Sequence, residues 1–527
     1  MTVRTMFFII SGVSLLLSTT LGLIWPPIWW LLLLITPLVA LGIYDISQHR
    51  HALLRNYPVI GHMRYVLESI RPEIQQYFVE SNTDGQPISL EFRSLVYQRA
   101  KGVRDTRPFG TQFDVYHDGY EWITHSISPH PVVDHHPRVL FGEQTCAKPY
   151  LASPLNISAM SFGALSQNAI MALNKGAKID DFAHNTGEGG ITPYHLKYGG
   201  DLIWQIGTGY FGCRSKEGKF DPRLFVKNAR KDVVKMIEIK LSQGAKPGHG
   251  GILPAAKVTA EIAEIRNVPI GKDVISPPAH SAFSNPTELL FFVKKLRDLS
   301  GGKPVGFKLC IGSKIEFLSL CKAMLETGIT PDFITIDGSE GGTGAAPIEM
   351  TNSVGTPLRE GLAFVHNALT GCGIRNKVRL IASGKALSAF HIVRLLALGA
   401  DTVNSARAMM FALGCIQSRN CNNDHCPTGV ATQNPARFQA LDVDDKAQRV
   451  ANYHNAMIVN LVELLAAAGM EHLEQVKPHH IYRRISGPKI KHYGELYTFL
   501  KTDALLNENQ LPEDWKMNWD LATADTW

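Results

Sequence analysis

FITIDGSEGGTGAAP, residues 333–347, joins a short apolar segment to a glycine-rich loop, and this combination decides the fold. Phenylalanine and β-branched residues from Phe333 to Ile336 favour an extended, buried strand over a helix. Asp337 ends the segment, and four glycines follow it within seven residues. The stretch therefore predicts a buried strand whose carboxyl end opens into a loop with a freely accessible backbone.

The same order of an apolar strand, a polar loop and a helical pattern recurs along the chain. Between strands four and five, for example, one helix face is predicted from the spacing of Leu289, Phe292, Val293, Leu296 and Leu299. Gly399 marks a helix end just before strand eight. We predict eight strands, at residues 155–160, 181–187, 202–207, 236–241, 305–310, 333–337, 379–384 and 401–406. This alternation predicts an α/β fold with a parallel sheet, namely a (β/α)8 TIM barrel. An open doubly wound sheet is the alternative.

Five of the eight predicted strands run into polar or glycine-rich loops, which in a (β/α)8 barrel gather at the active-site end. The loops after the last two strands, Ser383-Gly384-Lys385 and Ser405-Ala406-Arg407, are predicted to bind phosphate through backbone N–H groups. Lys308 closes the fifth strand, where a cation would stabilise a reduced flavin; a salt-bridged lysine is the alternative. The glycine-rich loop GSEGGTG does not have the GxGxxG spacing, and no P-loop motif occurs.

Three of the eight cysteines lie close together in GCIQSRNCNNDHCPTGVATQ, residues 414–433. Cys415, Cys421 and Cys426 have the spacing C-x5-C-x4-C, without a fourth cysteine nearby. This spacing predicts a metal site. Zinc bound by the three thiolates and His425 is one alternative, and inert buried thiols are another. The scattered positions of the other cysteines suit a reducing compartment better than a disulfide framework.

Two uncharged segments stand at the amino terminus, residues 6–25 and 28–44. Their lengths predict a transmembrane helical hairpin, with a cleaved signal peptide or an in-plane anchor as alternatives. Arg4 precedes the first segment, and Arg50 and Arg55 follow the second, so the positive-inside rule predicts a protein of the cytoplasmic membrane with both ends and the catalytic domain on the cytoplasmic side.

The net charge of +6 is spread over 53 basic and 47 acidic residues without a basic run, so we expect no nucleic-acid partner. The predicted organisation has four parts: the membrane hairpin at residues 1–46, an extension that packs on the barrel at 47–145, the barrel with its cysteine loop at 146–487, and a carboxyl-terminal tail at 488–527.

Several motifs, taken together and in this order, resemble the FMN-binding synthase domain of the glutamate synthase family. They are MSFGALS (160–166), NTGEGG (185–190), QGAKPGHGGILP (243–254), ISPPAH (275–280), FKL (307–309), DGSEGGTGAAP (337–347) and the cysteine motif (414–433). Residues 55–78 look like those of stand-alone, membrane-anchored members, and the glutaminase domain of complete glutamate synthases is not present in the sequence. The resemblance implies a (β/α)8 barrel that holds FMN and a [3Fe-4S] cluster.

The resemblance also implies roles for particular residues. Glu188 and Lys246 match substrate-site residues and Lys308 the flavin-tuning lysine, while Cys415, Cys421 and Cys426 match the cluster ligands, which agrees with a site that lacks a fourth thiolate. The implied FMN-binding residues are Met160, Ser161, Lys308, Gly341, Gly342, Ser383, Gly384, Ser405, Ala406 and Arg407. One departure stands close to the substrate site: Ile252 replaces the usual glutamine of the family's GGQLPG motif.

The expected function is therefore that of a glutamate synthase-like oxidoreductase acting on CH-NH2 donors. It would reduce the imine formed from 2-oxoglutarate, or a related 2-oxo acid, and ammonia or an amine. Electrons would come from an external donor, such as ferredoxin or a reductase subunit, through the cluster to FMN. The alternatives are N-methylglutamate synthase-like amine ligation, a membrane-tethered electron carrier without catalysis, and a flavin-free phosphate-binding barrel with structural zinc.

Overall fold

Parallel strands close into a barrel in the computed structural model, which describes residues 1–103, 105–507 and 511–527. The described strands are β1 (Glu121–Ile123), β2 (Val139–Phe141), β3 (Tyr150–Ala152), β4 (Leu155–Ile157), β5 (His184–Asn185), β6 (Leu202–Ile206), β7 (Val234–Lys240), β8 (Ile252–Leu253), β9 (Val274–Ile275), β10 (Val305–Leu309), β11 (Phe333–Asp337), β12 (Arg379–Ser383), β13 (Thr402–Ser405), β14 (Ile481–Ser486) and β15 (Lys489–His492).

The barrel follows the order β4-β5-β6-β7-β10-β11-β12-β13 and closes by pairing of β13 with β4. Each pair is parallel, so all carboxyl ends open at one mouth. The predicted α/β barrel is confirmed, all eight predicted strands are present, and the open-sheet alternative is wrong. The second strand is shorter than predicted, because Asp181 and Gly187 adopt positive φ angles on either side of it.

Helices cover the outside of the barrel and extend the chain at both ends. The described α-helices are α1 (Val3–Ile24), α2 (Leu32–Ser47), α3 (Ala52–Asn56), α4 (Gly61–Ile74), α5 (Leu90–Ala100), α6 (Gln167–Ile179), α7 (Pro193–Leu196), α8 (Pro222–Ala229), α9 (Ala260–Arg266), α10 (Pro286–Leu299), α11 (Lys314–Thr327), α12 (Ile348–Ser353), α13 (Leu358–Gly371), α14 (Ala389–Ala397), α15 (Arg407–Ala412), α16 (Pro435–Phe438), α17 (Val443–Ala467), α18 (Tyr493–Leu496) and α19 (Glu513–Leu521).

Local sequence explains where the barrel helices begin and end. Asn285 caps α10 by accepting a hydrogen bond from the Glu288 backbone N–H, and Pro286 occupies the first turn, where its missing donor costs nothing. Leu289 and Val293 of the predicted apolar face are fully buried. Helix α14 stops where predicted, because Gly399 takes a φ of 103°, which suits glycine.

The segment between β7 and β10 is longer than the other connections. It forms the antiparallel hairpin β8-β9, and the short helix α9 lies between those two strands. Helix α9 is capped by Thr259 and ends at Asn267 in the left-handed conformation. This insertion brings additional side chains to the barrel mouth.

Two units divide the chain, Met1–Leu90 and Glu91–Trp527. In the first, two segments of 22 residues each, Val3–Ile24 and Pro26–Ser47, are long and apolar enough to cross a membrane, and most of their residues are exposed. Gly42 lies against the ring of Phe7, and Gly22 lies against the indole of Trp29. Small residues at such contacts allow two apolar helices to approach closely.

In the second unit, Glu121 of β1 joins the strand to the barrel helices. Its buried carboxylate accepts hydrogen bonds from Arg394 (2.6 Å), from Arg359 (3.1 Å) and from the Tyr493 hydroxyl (2.9 Å). Burial alone would raise the pKa of Glu121, but the two guanidinium groups outweigh it and hold the pKa below its usual value. Glu121 is therefore the anionic centre that fixes the β1 sheet on the barrel.

Replacement of this carboxylate tests its structural role. Glu121→Gln is expected to lower the free energy of unfolding by about 1–3 kcal/mol at neutral pH, because the partly buried guanidinium groups of Arg359 and Arg394 lose their counter-charge. The contribution is complete above the ordinary pKa of 4.5 and is lost as the pH falls through the lower folded-state value. Thermal unfolding of both proteins should thus differ most at neutral pH and converge in acid. Glu463→Gln, at an exposed position of α17, is the control; an equal effect of both variants would contradict the role.

Candidate active site

A buried carboxylate surrounded by cations occupies the mouth of the barrel. Glu188 lies in the loop after β5, and its Oε1 is 2.6 Å from the Nζ of Lys240, the last residue of β7. Burial raises the pKa of Glu188, but the positive charges of Lys240, Lys246 and Arg266 outweigh burial and bring the pKa below its usual value. Glu188 is therefore ionised at neutral pH.

Glycines let the backbone come close to this carboxylate. A Cβ atom on Gly207 would lie 2.6 Å from the Glu188 Oε2, and a Cβ atom on Gly251 would meet Oε1. Gly207 follows β6, and Gly251 immediately precedes β8. The chain thus encloses Glu188 between the barrel and the inserted hairpin, and Ile252 is the next residue after Gly251.

Lys246 and Arg266 complete the group of cations. Lys246 donates a hydrogen bond to the Ala345 carbonyl (3.0 Å), while burial and the neighbouring Lys240 lower the pKa of Lys246 to about 8, against the attraction of Glu188. Arg266, at the end of α9, donates to the Phe162 carbonyl (2.9 Å). Burial lowers the pKa of Arg266 to about 10, which leaves it charged at neutral pH.

Around this carboxylate the charge is unbalanced: three positive side chains, those of Lys240, Lys246 and Arg266, face the single negative charge of Glu188. Buried charges are costly unless they are paired, so an excess of buried positive charge favours binding of an anion. The mouth of the barrel is consequently suited to a small ligand that carries carboxylate groups.

A second charged group lies on the neighbouring strands. Lys308 in β10 is buried, and its Nζ is 3.2 Å from the Asp337 Oδ2 at the end of β11. Burial would lower the pKa of Lys308, but the carboxylates of Asp337, Glu238 and Glu188 raise it above its usual value. Lys308 is therefore a charged lysine in a salt bridge, and its role beside a flavin stays a prediction.

Glu238 organises the barrel interior beneath Lys308. Its carboxylate is fully buried and accepts hydrogen bonds from Asn185 (2.8 Å), Gln205 (2.6 Å) and Thr335 (2.6 Å). These residues come from β5, β6 and β11, and Glu238 itself belongs to β7. The network links four strands, so the charged groups above it rest on a rigid base.

The predicted phosphate loops lie at the same mouth, beside Asp337. The Ser383 hydroxyl is 3.2 Å from that of Ser158, and the Ser405 hydroxyl donates to the Ala386 carbonyl (2.8 Å). The side chains of Ser383 and Ser405 thus contact other barrel residues. The groups of these loops that would bind an anion are the backbone N–H groups of Gly384 and Ala406.

Other predicted cofactor residues line the adjacent loops. Arg407 donates to the Glu340 carbonyl (2.8 Å), and a Cβ atom on Gly342 would lie 3.2 Å from the Arg407 side chain. A Cβ atom on Gly341 would lie 3.3 Å from the Cα of Gly244, whose N–H donates to Asp337. These contacts bring the loops after β7, β11 and β13 together.

Met160 and Ser161 follow the first barrel strand and lie next to the loop that carries Glu188. Met160 is buried, and the Ser161 hydroxyl is 3.4 Å from the Arg266 guanidinium. A Cβ atom on Gly187 would lie 2.6 Å from the Ser161 backbone nitrogen. The predicted cofactor residues therefore surround the cation group on several sides.

The cysteine loop follows α15 and brings its three thiols near one another. Burial, and to a smaller extent the other two thiols, raise the pKa of Cys415 to about 12. Burial is also the larger cause, and the Cys426 thiol the smaller, of the raised pKa of Cys421. Cys426 differs, because backbone N–H groups of Thr428, Val430 and Ala431 outweigh burial and lower its pKa. N–H groups directed at a sulfur favour the thiolate, which is the form that binds metal.

Within the described ranges, which omit residue 104 and residues 508–510, no group of three or more His, Cys, Asp or Glu side chains surrounds one point as metal ligands would. His425 is exposed, and its Nδ1 lies 2.6 Å from the Asn423 carbonyl oxygen rather than beside the thiols. The arrangement is unlike the compact tetrahedral set that a single zinc ion takes.

Direct hydrogen bonds join the cysteine loop to the loop after the first barrel strand. Ser166 donates through its hydroxyl to the Gly429 carbonyl (2.7 Å) and through its N–H to Val430 (2.9 Å). The Gln433 amide donates to the carbonyls of Gly163 and Leu165. The cysteine loop therefore lies on the MSFGALS loop.

Lys257 strengthens this junction. Its side chain is buried, and its ammonium group donates to Ala164 (3.2 Å) on one loop and Ala431 (2.8 Å) on the other. Thiols of Cys421 and Cys426 lie close enough to act on its charge. Lys257 is thus a buried cation that connects the two loops.

Sequence reasoning found Glu188, Lys246 and Lys308 but missed Lys240, Arg266 and Lys257. A signal for Lys240 existed, because a lysine at the end of the MIEIKL strand parallels Lys308 at the end of its own strand. Arg266 and Lys257 belong to the insertion around α9, and their approach to the barrel depends on how that insertion folds back. Neither residue belongs to a motif or a periodic pattern that would predict its position in the fold.

Comparison with known proteins agrees with this geometry. A family model described as a conserved region in glutamate synthase matches residues 128–471. The chain is 40% identical to the glutamate synthase large subunit-like protein YerD of Bacillus subtilis over 500 residues, which cover 87% of this chain and 95% of that protein. It is 36% identical to an archaeal glutamate synthase (NADPH) of Methanocaldococcus jannaschii over 328 residues, 62% of this chain and 61% of the relative.

The strand order and these sequence matches together identify a (β/α)8 barrel protein of one enzyme family. The chain belongs to the glutamate synthase family. The predicted membership, and with it the predicted class of oxidoreductase, is confirmed. Among solved structures, mandelate oxidase with 2-hydroxy-phenylacetamide has a TM-score of 0.41 at 12% identity and covers 81% of this chain and 96% of its own; the fold assignment rests on the strand order instead.

Removal of Lys257 should loosen the junction between the two loops. Lys257→Met leaves two buried carbonyl groups without their donor, at about 1–3 kcal/mol each. Hydrogen exchange of peptides that cover residues 160–166 and 428–433 should accelerate by about tenfold or more, since 1.4 kcal/mol corresponds to a factor of ten. Lys272→Met, at an exposed position in the same insertion, should leave exchange unchanged. Equal exchange in the wild type and Lys257→Met would refute the bridging role.

Proposed function

We propose that this protein is a membrane-anchored, FMN-dependent oxidoreductase of glutamate synthase type. It reduces the imine of a 2-oxo dicarboxylic acid to an amino acid with electrons from an external donor, passed through a [3Fe-4S] cluster. The observation that carries the proposal is the excess of buried positive charge around Glu188 at the mouth of a family-typical barrel.

The substrate proposal follows from the charge balance. A 2-oxo dicarboxylate such as 2-oxoglutarate brings two negative charges to a site where Lys240, Lys246 and Arg266 face only Glu188. Lysine and arginine donate charge-assisted hydrogen bonds to carboxylates. Lys246 and Arg266 bind the substrate carboxylates in this proposal, while Lys240 keeps Glu188 in position.

Glu188 acts on the nitrogen side of the reaction. An ionised carboxylate accepts hydrogen bonds from ammonia or from a protonated imine, whose positive charge makes the carbon a better hydride acceptor. The low pKa of Glu188 means that it holds and orients such a proton more readily than it removes it. Its enclosure by Gly207 and Gly251 fixes the carboxylate for this role.

FMN fits the remaining groups at the mouth. The residues that would hold it are Met160, Ser161, Gly341 and Gly342 along the rim, with the loops at 383–384 and 405–407 for the phosphate. Bound FMN would supply hydride transfer to the substrate carbon. Lys308 stays charged although it is buried, so it stabilises negative charge that develops nearby on reduction.

A [3Fe-4S] cluster fits the cysteine loop better than zinc does. Each of three irons takes one thiolate, so the ligands of a cluster lie around a cube and not around one ion. Cys415, Cys421 and Cys426 are mutually close without being grouped at one point, and backbone N–H groups face Cys426. The bound cluster would supply one-electron transfer, and the bonds from Ser166 and Gln433 hold its loop beside the barrel.

The proposal includes external partners. Ammonia or an amine is the source of nitrogen, and a ferredoxin or a reductase subunit supplies electrons. The helical hairpin of residues 1–46 anchors the protein in the cytoplasmic membrane by two spans. Arg4, Arg50 and Arg55 favour the cytoplasm for both ends of the hairpin and for the catalytic unit.

One series of measurements tests the function. Purified protein is analysed for flavin, iron and acid-labile sulfide, reduced with dithionite without oxygen, and mixed with 2-oxoglutarate and ammonium. Flavin reoxidation with formation of glutamate is expected. Methylamine and glutamate, in place of ammonium and 2-oxoglutarate, test amine ligation, by formation of N-methylglutamate with release of ammonia. Bound cofactors without reoxidation by any 2-oxo acid and amine would favour an electron carrier, and a colourless zinc protein would refute both cofactor assignments.

The pH dependence of substrate binding tests Lys246. Since its pKa is about 8, Lys246 loses its charge as the pH rises through that value, and 2-oxoglutarate should bind more weakly above it. Lys246→Met is expected to weaken binding by about tenfold or more at neutral pH and to remove this pH step. Lys246→Arg should keep the charge through the same range. The exposed Lys216→Met is the control in calorimetric titrations; an unchanged pH step in Lys246→Met would exclude this assignment.

A further inference from the structure

Helix α4, which follows the hairpin, has an exposed apolar face. Its apolar residues recur every three or four positions and so share one side of the helix. These residues, which we call the α4 stripe, are Met63 (64% exposed), Val66 (56%), Leu67 (53%), Ile70 (42%) and Ile74 (38%). Tyr77 and Phe78, directly after the helix, are also exposed. A contiguous apolar surface that is exposed to solvent is unusual and indicates a binding surface.

The other side of α4 is polar. Arg64 and Glu68 form an ion pair one turn apart, with 2.8 Å between Nε and Oε1, and both side chains are more than half exposed. Glu68 lies about 100° around the helix from Leu67. The helix therefore separates an apolar stripe from a charged side, as helices that lie in a membrane interface do.

Buried contacts fix the start of α4 at the end of the hairpin. Asp45, near the end of α2, is fully buried; its carboxylate accepts a hydrogen bond from the Val59 N–H (2.9 Å) and lies 2.8 Å from the His62 Nε2. Arg4, at the start of α1, donates to the Asn56 side chain (2.9 Å). Both ends of the hairpin thus contact the segment around the start of α4, so the helix begins beside the two ends of the hairpin.

The charge of this segment is complementary to an anionic lipid surface. Residues 48–79 contain four arginines, at positions 50, 55, 64 and 71, against two glutamates, at 68 and 73. Basic residues next to a membrane segment are attracted to acidic headgroups, and exposed aromatic residues favour the interface. A lipid surface matches both the stripe and these charges.

We propose that α4 lies in the plane of the membrane interface, with the α4 stripe against the lipid and the arginines among the headgroups. This surface extends the hairpin into an anchor of three helices. The inference rests on the proposed anchoring by the hairpin. It adds α4 as a second lipid-binding element, one that lies along the membrane surface and does not cross the membrane.

Photo-crosslinking to lipid tests this placement in the complete protein. A benzoylphenylalanine residue is introduced singly at Leu67, at Glu68 and at Leu33, and each protein is reconstituted into vesicles of phosphatidylcholine and phosphatidylglycerol. Leu67, in the α4 stripe, and Glu68, on the charged side of α4, are neighbours of similar exposure, which makes them a matched pair. Leu33, exposed on the second apolar segment, reports on the hairpin. Flavin content, read by absorbance, shows that each variant keeps its folded catalytic unit.

We expect lipid adducts at Leu33 and Leu67, with several-fold less adduct at Glu68. Adducts at Leu33 but not at Leu67 would overturn the inference and leave the hairpin anchor intact. Adducts of Leu67 with protein, whether a second copy or another part of the chain, would also overturn it, because the stripe would then be a protein contact. Loss of adducts at both Leu33 and Leu67 would refute the anchor and the inference together, and equal adducts at Leu67 and Glu68 would refute the orientation.

Discussion

The ion pair of Glu188 and Lys240 determines how the mouth of this barrel is built. It joins the loop after β5 to the end of β7, and the backbone of the inserted hairpin approaches it at Gly251. Two more cations act on the same carboxylate. A buried pair alone contributes little to stability, because desolvation offsets the attraction. An unbalanced group is less stable still, and that excess of charge is explained by an anionic ligand better than by a structural role.

The same electrostatic logic separates this site from the other buried charges of the catalytic unit. At Glu121, two arginines and a tyrosine bind one carboxylate that fastens a peripheral sheet to the barrel helices. Glu238 is satisfied by three neutral donors inside the barrel. In both arrangements the carboxylate is held by donors that belong to the fold itself. Around Glu188, by contrast, lysine side chains and glycine-rich loops meet at the carboxyl ends of the strands, where barrels hold their ligands.

The strand pattern was predictable because each barrel strand has a local signal, an apolar run that ends in polar or glycine-rich sequence. Phe333–Asp337 has the predicted limits, but an open sheet shares that alternation, and it is the pairing of β13 with β4 that shows the closure. The cation group was only partly predictable. Lys240 had a signal at its strand end, but Arg266 reaches Glu188 from a helix in an insertion, and no periodicity relates the two positions. Lys257 was hidden for the same reason, since its partners Ala164 and Ala431 are backbone carbonyls.

Ile252, which replaces the usual glutamine of the family motif, lies next to the charged site in sequence. In an extended segment, successive side chains point to opposite faces, and Gly251 is the residue whose Cβ position faces the Glu188 carboxylate. Ile252 is therefore next in sequence to the charged site but directed away from this carboxylate. The loss of the family glutamine removes a hydrogen-bonding group beside the site without altering its three cations. In the proposed function, recognition of carboxylate groups then depends on Lys246 and Arg266, and selection of the nitrogen-bearing part of the substrate has the most freedom to differ from that of other family members.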